Sequence, residues 1–177
     1  MNIFVTDIDP VKSAQALDDK RVIKMVLESA QMLCTALHLN GASHLAKYKK
    51  THQNHPSNVW VRETRSNYEW LLNHFKALCD EYTLRCNKVH ATYHLYDNLV
   101  AGLQYIPIGP LTTIANCAAR KDLGIDYKHV GDVHLAYKLY LMKRWSLDAK
   151  PPRWRGRIPD WYNSRYALRV TLRRLSN

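Results

Sequence analysis

A chain of 177 residues has room for a single domain, so any chemistry must share its core with the groups that bind substrate. With 46% apolar and 23% charged residues, and only 6 Gly and 7 Pro, the composition is that of a packed globular protein and excludes disordered and collagen-like chains. Lys and Arg number 26 against 15 acids, and the resulting net charge of +11 calls for a polyanionic partner, nucleic acid first.

The opening Ile3-Phe4-Val5 reads as a short extended segment, and Asp9-Pro10 as the N-cap and first residue of a helical region that runs to Asn40-Gly41. A polar, Lys-rich loop covers His44 to Gln53. Pro56 then opens one long helical pattern through Trp60, Tyr68, Leu71, Phe75 and Tyr82. A third helix is expected over Val89 to Leu103, a loop from Ile106 to His129, and a short amphipathic helix from Val133 to Trp145. Pro151 to Pro159 is a stiff basic loop leading into a last helix from Asp160 to Leu175. No strand pattern of any length follows the start, so the fold class expected is all-α, a compact helical bundle forming one domain over 1–177. Apolar stretches fall short of the ~20 residues that cross a bilayer, and the start MNIFVTDIDP has no basic leader region, so a cytoplasmic monomer with no membrane partner is expected. Cys34, Cys79, Cys86 and Cys117 form no C-x-x-C pair and read as reduced thiols, with Cys34 and Cys79 buried.

Between Val22 and Leu37 the chain is apolar around most of a helix, yet Arg21, Lys24, Glu28 and Gln31 fall at steps of three, four and three on one narrow stripe. An ordinary solvated edge with a Lys24 to Glu28 ion pair explains that stripe; so does a cleft. In a cleft, a carboxylate flanked by apolar surface serves acid/base chemistry or stabilises a developing cation, and neighbouring cations hold phosphate. The segment Thr51 to Arg62 crowds His52, Asn54, His55 and Arg62 around a helix start, with Arg65 one turn on. Those groups suit anion, base or sugar contacts, although Asn54 or His55 also fits a plain helix cap. A metal reading pairs His52 with His55, or His90 with His94 and Asp97, and neither has a full ligand set; no metal and no cofactor is expected. Near the carboxy terminus Arg153, Trp154, Arg155, Arg157, Trp161 and Tyr162 interleave cations with rings, and Arg165, Arg169 and Arg173 share one helix face beside Arg174. Phosphate contacts with base stacking take this form, with Trp161 expected buried and Trp154 exposed.

The run Leu17 to Glu28, with Asp19, Arg21 and Glu28 at their spacing, resembles the first helix of the phage pyrimidine-dimer DNA glycosylases of the endonuclease V type. The stretch from His55 to Arg85 and the closing Pro159-Asp160-Trp161-Tyr162 are similar to further blocks of that family, in the same order. The resemblance implies an all-α enzyme that kinks duplex DNA, displaces a base and breaks an N-glycosidic bond, in a bacterial or phage-infected cell. By position it implies Glu28 as catalytic carboxylate, Arg21 in place of a DNA-contacting His, and Trp161 and Tyr162 at the lesion. It also implies an amine nucleophile at the residue that follows the removed Met1, here Asn2. Asn2 is bulky enough to keep the initiator Met in place, so a retained Met1 amine or Lys24 stands in for it.

The expected function is therefore a DNA N-glycosylase acting on a flipped base, with AP-lyase activity if an amine attacks. Its site set is Glu28, Lys24 and Asn2 for catalysis, with Arg21, Gln31, His52, Asn54, His55, Arg62, Arg65, Arg153, Trp154, Arg155, Arg157, Trp161 and Tyr162 on the DNA. The alternatives are a group transferase that modifies a base in phage DNA, a ribonuclease using His52 and His55, and a non-enzymatic DNA-binding or anti-defence protein.

Overall fold

The computed structural model describes residues 1–162. Its helices are α1 (Pro10–Gln15), α2 (Asp19–Leu39), α3 (Pro56–Glu63), α4 (Arg65–Cys86), α5 (Tyr96–Ala101) and α6 (Val133–Leu147). The expected all-α class is what is found, and the helix expected after Asp160 lies, with Arg165, Arg169, Arg173 and Arg174, outside the described residues beyond Tyr162.

Side-chain caps start α1, α3, α4 and α6. Asp9 accepts from the Val11 and Lys12 amides and Pro10 presets the first turn of α1; Asp132 does the same for α6 from His134 and Leu135. The single long pattern expected from Pro56 is two helices. Thr64 leaves helical geometry at φ −138°, ψ 154°, and its hydroxyl caps α4 by accepting from the Asn67 amide. The expected Val89–Leu103 helix is also broken, into a 3-10 turn at Ala91–Leu95, α5, and a second 3-10 turn at Gly102–Tyr105. His90 takes the Thr92 amide at the first turn, and Gly102 sits so close to Leu37 that a Cβ there would lie 2.3 Å from it. The loop beyond Ile106 contains a two-stranded hairpin that the sequence pattern did not suggest, β1 (Ala119–Arg120) on β2 (Ile125–Asp126), turned by Gly124 at φ 63°.

The core forms where α2 packs between α3 and α4, with α1 on α4. Ile3, Leu17, Met25, Leu33, Leu37, Tyr68, Leu71, Phe75, Leu78 and Tyr137 are fully buried there, as are Trp60, Trp70, Cys34 and Cys79 to within a few per cent. Burial pushes the Cys79 thiol up to about 12, so it is an inert apolar filler. By length and hydropathy α2 meets the measure of a membrane-crossing helix, which the sequence reading did not expect; in the fold most of it is buried against the neighbouring helices.

Two other expectations need correcting. The apolar surround of the polar stripe on α2 is not wholly buried, because Ile23 and Leu27 are exposed beside Lys20 and Lys24. Trp154 is not exposed, nor Trp161 buried: both are half-buried around Trp145, which stacks on Trp161 at 5.8 Å and meets Trp154 edge-on at 5.1 Å.

Candidate active site

The amino-terminal segment runs along α2 with Ile3 and Val5 in the core, which brings its first two residues over the third turn of that helix. The Asn2 amide donates to Glu28 Oε2 at 3.1 Å, and the Met1 nitrogen stands 3.9 Å from the same oxygen. Lys24 Nζ approaches Oε1 at 3.2 Å. Glu28 is thus a mostly buried carboxylate (side chain 14% exposed) with two nitrogens on one oxygen and a third on the other, while Lys24 is 72% exposed. A cavity of 390 Å³ opens beside it, lined by Met1, Asn2, Lys24 and Glu28 and by Phe4, Tyr140, Arg120 and Arg144. Lys20, Arg21 and Arg144 add positive charge to its walls.

His55 stands at the edge of this cluster. Its Nδ1 accepts from the Ser57 amide as the cap of α3, which leaves the proton of the neutral ring on Nε2. Burial lowers its pKa first; the positive amino terminus and His52 act in the same direction, and Glu28 opposes them. Asn58, in the first turn of α3, donates to Met1 Sδ at 3.2 Å, and the Met1 side chain is 3% exposed.

Arg21 lines the cavity but is committed elsewhere. Its guanidinium bonds Asp18 at 2.8 Å and Asp148 at 2.9 Å, 5.9 Å from the Trp145 ring, with only 8% of the side chain exposed. Gln31 is half-buried one turn beyond Glu28 and does not line the cavity. His52 is exposed at φ 45°, bonded to Thr51, and Asn54 and Arg62 line a separate shallow depression of 490 Å³ where Arg62 donates to the Gln53 carbonyl. Arg65 braces the Gln104 and Ile106 carbonyls.

The basic aromatic loop lies against the amino-terminal end of α2 instead of on the cavity. The Arg153 carbonyl accepts from the Asp19 amide, Trp154 donates to Ala16, and the Arg155 amide donates to the Asp19 carboxylate. The side chains of Arg153, Arg155 and Arg157 remain exposed, and Tyr162 packs edge-on to Trp145 at 4.9 Å. Among the described residues no group of three or more His, Cys, Asp or Glu gathers in a way that could hold a metal.

Sequence reasoning missed Phe4, Arg120, Tyr137 and Tyr140. Phe4 carries one signal only after folding, a left-handed φ of 56° in a bulky residue; Arg120 and Tyr140 are far from Glu28 in sequence yet line the same cavity, and Tyr137 bonds Asn2 from behind it.

A family model described as pyrimidine dimer DNA glycosylase matches residues 1–95, slightly more than half of the chain. The match spans α1 to α4 and ends in the turn that follows, so Glu28, Lys24 and His55 fall inside it and Arg120, Tyr137, Tyr140 and Arg144 fall outside. No curated protein matches the chain, and no solved structure does.

Proposed function

The chain belongs to the pyrimidine dimer DNA glycosylase family, and from that premise we propose that it cleaves the N-glycosidic bond of a damaged pyrimidine in duplex DNA, with Glu28 as the acting carboxylate and a neighbouring amine as nucleophile. The observation that carries this reading is the meeting of Glu28 with the first two residues of the chain and Lys24 on the wall of a cationic cavity.

The geometry fits the chemistry as follows. A displaced nucleotide enters the cavity; extrusion costs a few kcal/mol, offset by contacts between the strand and cations such as Lys20, Arg120 and Arg144. The unprotonated amine attacks C1′, forming a C–N bond while the glycosidic bond breaks and its electron pair leaves with the base, which takes up a proton. Glu28 stabilises the cationic sugar and accepts the proton that the amine sheds. The Schiff base formed on ring opening permits elimination of the 3′ phosphate, which is the lyase step. A retained Met1 presents its nitrogen 3.9 Å from Glu28, and removal of Met1 would put the amine on the Asn2 nitrogen at 3.1 Å; in both cases it faces the carboxylate.

The test is incubation with ultraviolet-irradiated duplex DNA in the presence of borohydride. Because the two bases of a dimer are joined to each other, cutting one glycosidic bond frees no base, so strand breakage after alkali and the trapped protein-DNA adduct are the readouts. Cleavage with an adduct is expected, mapping by peptide mass to the terminal residue, and Glu28→Gln should lower the rate by about 10²–10⁴-fold. An unchanged rate in Glu28→Gln, or no cleavage by the wild-type protein, refutes the reading.

A further inference from the structure

The Asn2 side chain closes a hydrogen-bonded circuit with residues far along the chain. The Tyr137 hydroxyl, on α6, donates to Asn2 Oδ1 at 2.8 Å and accepts from the Cys117 amide at 3.2 Å, while Asn2 Nδ2 donates to the Cys117 carbonyl at 3.4 Å. Asn2 Oδ1 also takes the Ile3 amide at 2.9 Å, so both sides of the Asn2 amide group are held. The segment accepts strain to stay in this position. Phe4 sits at φ 56°, a conformation unfavourable for a bulky residue, and its ring packs edge-to-face with Tyr137 at 6.2 Å and stacks on Tyr140 at 5.6 Å.

Tyr137 is fully buried and is not among the cavity-lining residues, so its hydroxyl acts on the site through Asn2, while its ring packs on Phe4. Its position on α6, and that of Cys117 in the preceding loop, lie beyond the segment matched by the family model. We infer that the Tyr137 hydroxyl is a positioning group for the reaction, clamping residues 1 and 2 so that the backbone nitrogen of Asn2 and the terminal amine stay on Glu28. The inference rests on Glu28 being the acting carboxylate. Without this clamp the Met1 side chain keeps its burial and its contact with Asn58, but the Asn2 amide group loses its hold on α6, and a displacement of about 1 Å at a reacting group lowers rates by as much as about 10²-fold. Burial raises the phenol far above its ordinary range, so the donor stays protonated and the clamp does not titrate in the working pH range.

The test is Tyr137→Phe, which keeps the ring and its contact with Phe4 and deletes only the hydroxyl. Cleavage of irradiated duplex is expected to lose about 10- to 100-fold in kcat, with KM and DNA affinity within twofold of wild type and the trapped adduct falling in parallel. Asn2→Leu opens the same circuit from the other side while keeping a bulky second residue, and should show the same split if Tyr137→Phe fails to fold. In a Glu28→Gln background Tyr137→Phe should have no further effect. An unchanged kcat in a folded Tyr137→Phe protein overturns the inference while leaving the role of Glu28 intact. A raised KM with unchanged kcat overturns it as well, since Tyr137 would then serve substrate binding. Absence of cleavage in the wild type is the separate failure of the functional reading, and the inference falls with it.

Discussion

Replacing Arg21 by Met separates two roles that its sequence position leaves open. As a DNA contact, Arg21 should be dispensable for folding; as the centre of a buried ion-pair cluster, it should not. The side chains of Asp18 and Asp148 are 3% and 6% exposed, and Arg21 binds both within 2.9 Å. Removing one partner of a buried pair commonly costs about 3–5 kcal/mol, because an uncompensated charge is left behind. Here each carboxylate retains one other partner, Trp145 Nε1 at 2.8 Å for Asp18 and Arg144 at 3.3 Å for Asp148, which places the expected loss at the lower end, about 3 kcal/mol. For a domain of this size that corresponds to a fall in Tm of roughly 6–12 °C. The urea midpoint should fall by the same free energy at unchanged slope, and adding Asp18→Asn and Asp148→Asn to Arg21→Met should recover much of the loss. DNA binding by the folded variant should keep the wild-type salt dependence. The result that refutes the reasoning is a Tm within 2 °C of wild type together with a slope of log affinity against log salt reduced by about one, the signature of a lost phosphate contact.

His74 should make the fold acid-sensitive. Burial lowers its pKa to about 4 against an ordinary 6.5, even though Nδ1 bonds the Pro10 carbonyl. The unfolded chain therefore takes up the proton first, and the neutral-ring stability, fully present above pH 6.5, is lost as pH falls toward 4, by about 3 kcal/mol in all; urea titrations of His74→Phe should show a correspondingly flatter profile across that window. Asp148 adds a second acid-labile step. Its burial acts to raise the pKa, but the Arg21 hydrogen bond and charge prevail and lower it, so the stabilisation is present above the ordinary carboxylate range and is lost as pH falls through the lowered value. Thr64→Ala should remove the cap of α4 and the hydroxyl bond to Pro110, lowering stability by about 1 kcal/mol in thermal melts with no change in DNA cleavage.

The sequence alone determined the helical class, because periodic apolar residues on α2 and α4 have no other way to be buried, and Asp9-Pro10 and Pro56 marked helix starts that local hydrogen bonding enforces. It also determined that Lys24 and Glu28 share a face, since that is a property of helical spacing. Thr64 escaped it because it breaks a helical pattern through a side-chain cap, which apolar periodicity does not register. The roles within the stripe were decided by tertiary structure: Arg21 and Glu28 look equivalent on the helix, but Asp148 at the carboxy-terminal end of α6 claims the first and the amino terminus meets the second. The aromatic loop was legible as basic and ring-rich, yet only packing on Trp145 and Asp19 decided that its rings face the protein. The amino terminus, Tyr137 and the cationic wall at Arg120 and Arg144 come together across more than a hundred residues of chain. Such contacts depend on how helices and loops stack, and a one-dimensional pattern of apolar and polar residues carries the period of each helix without the place where it docks.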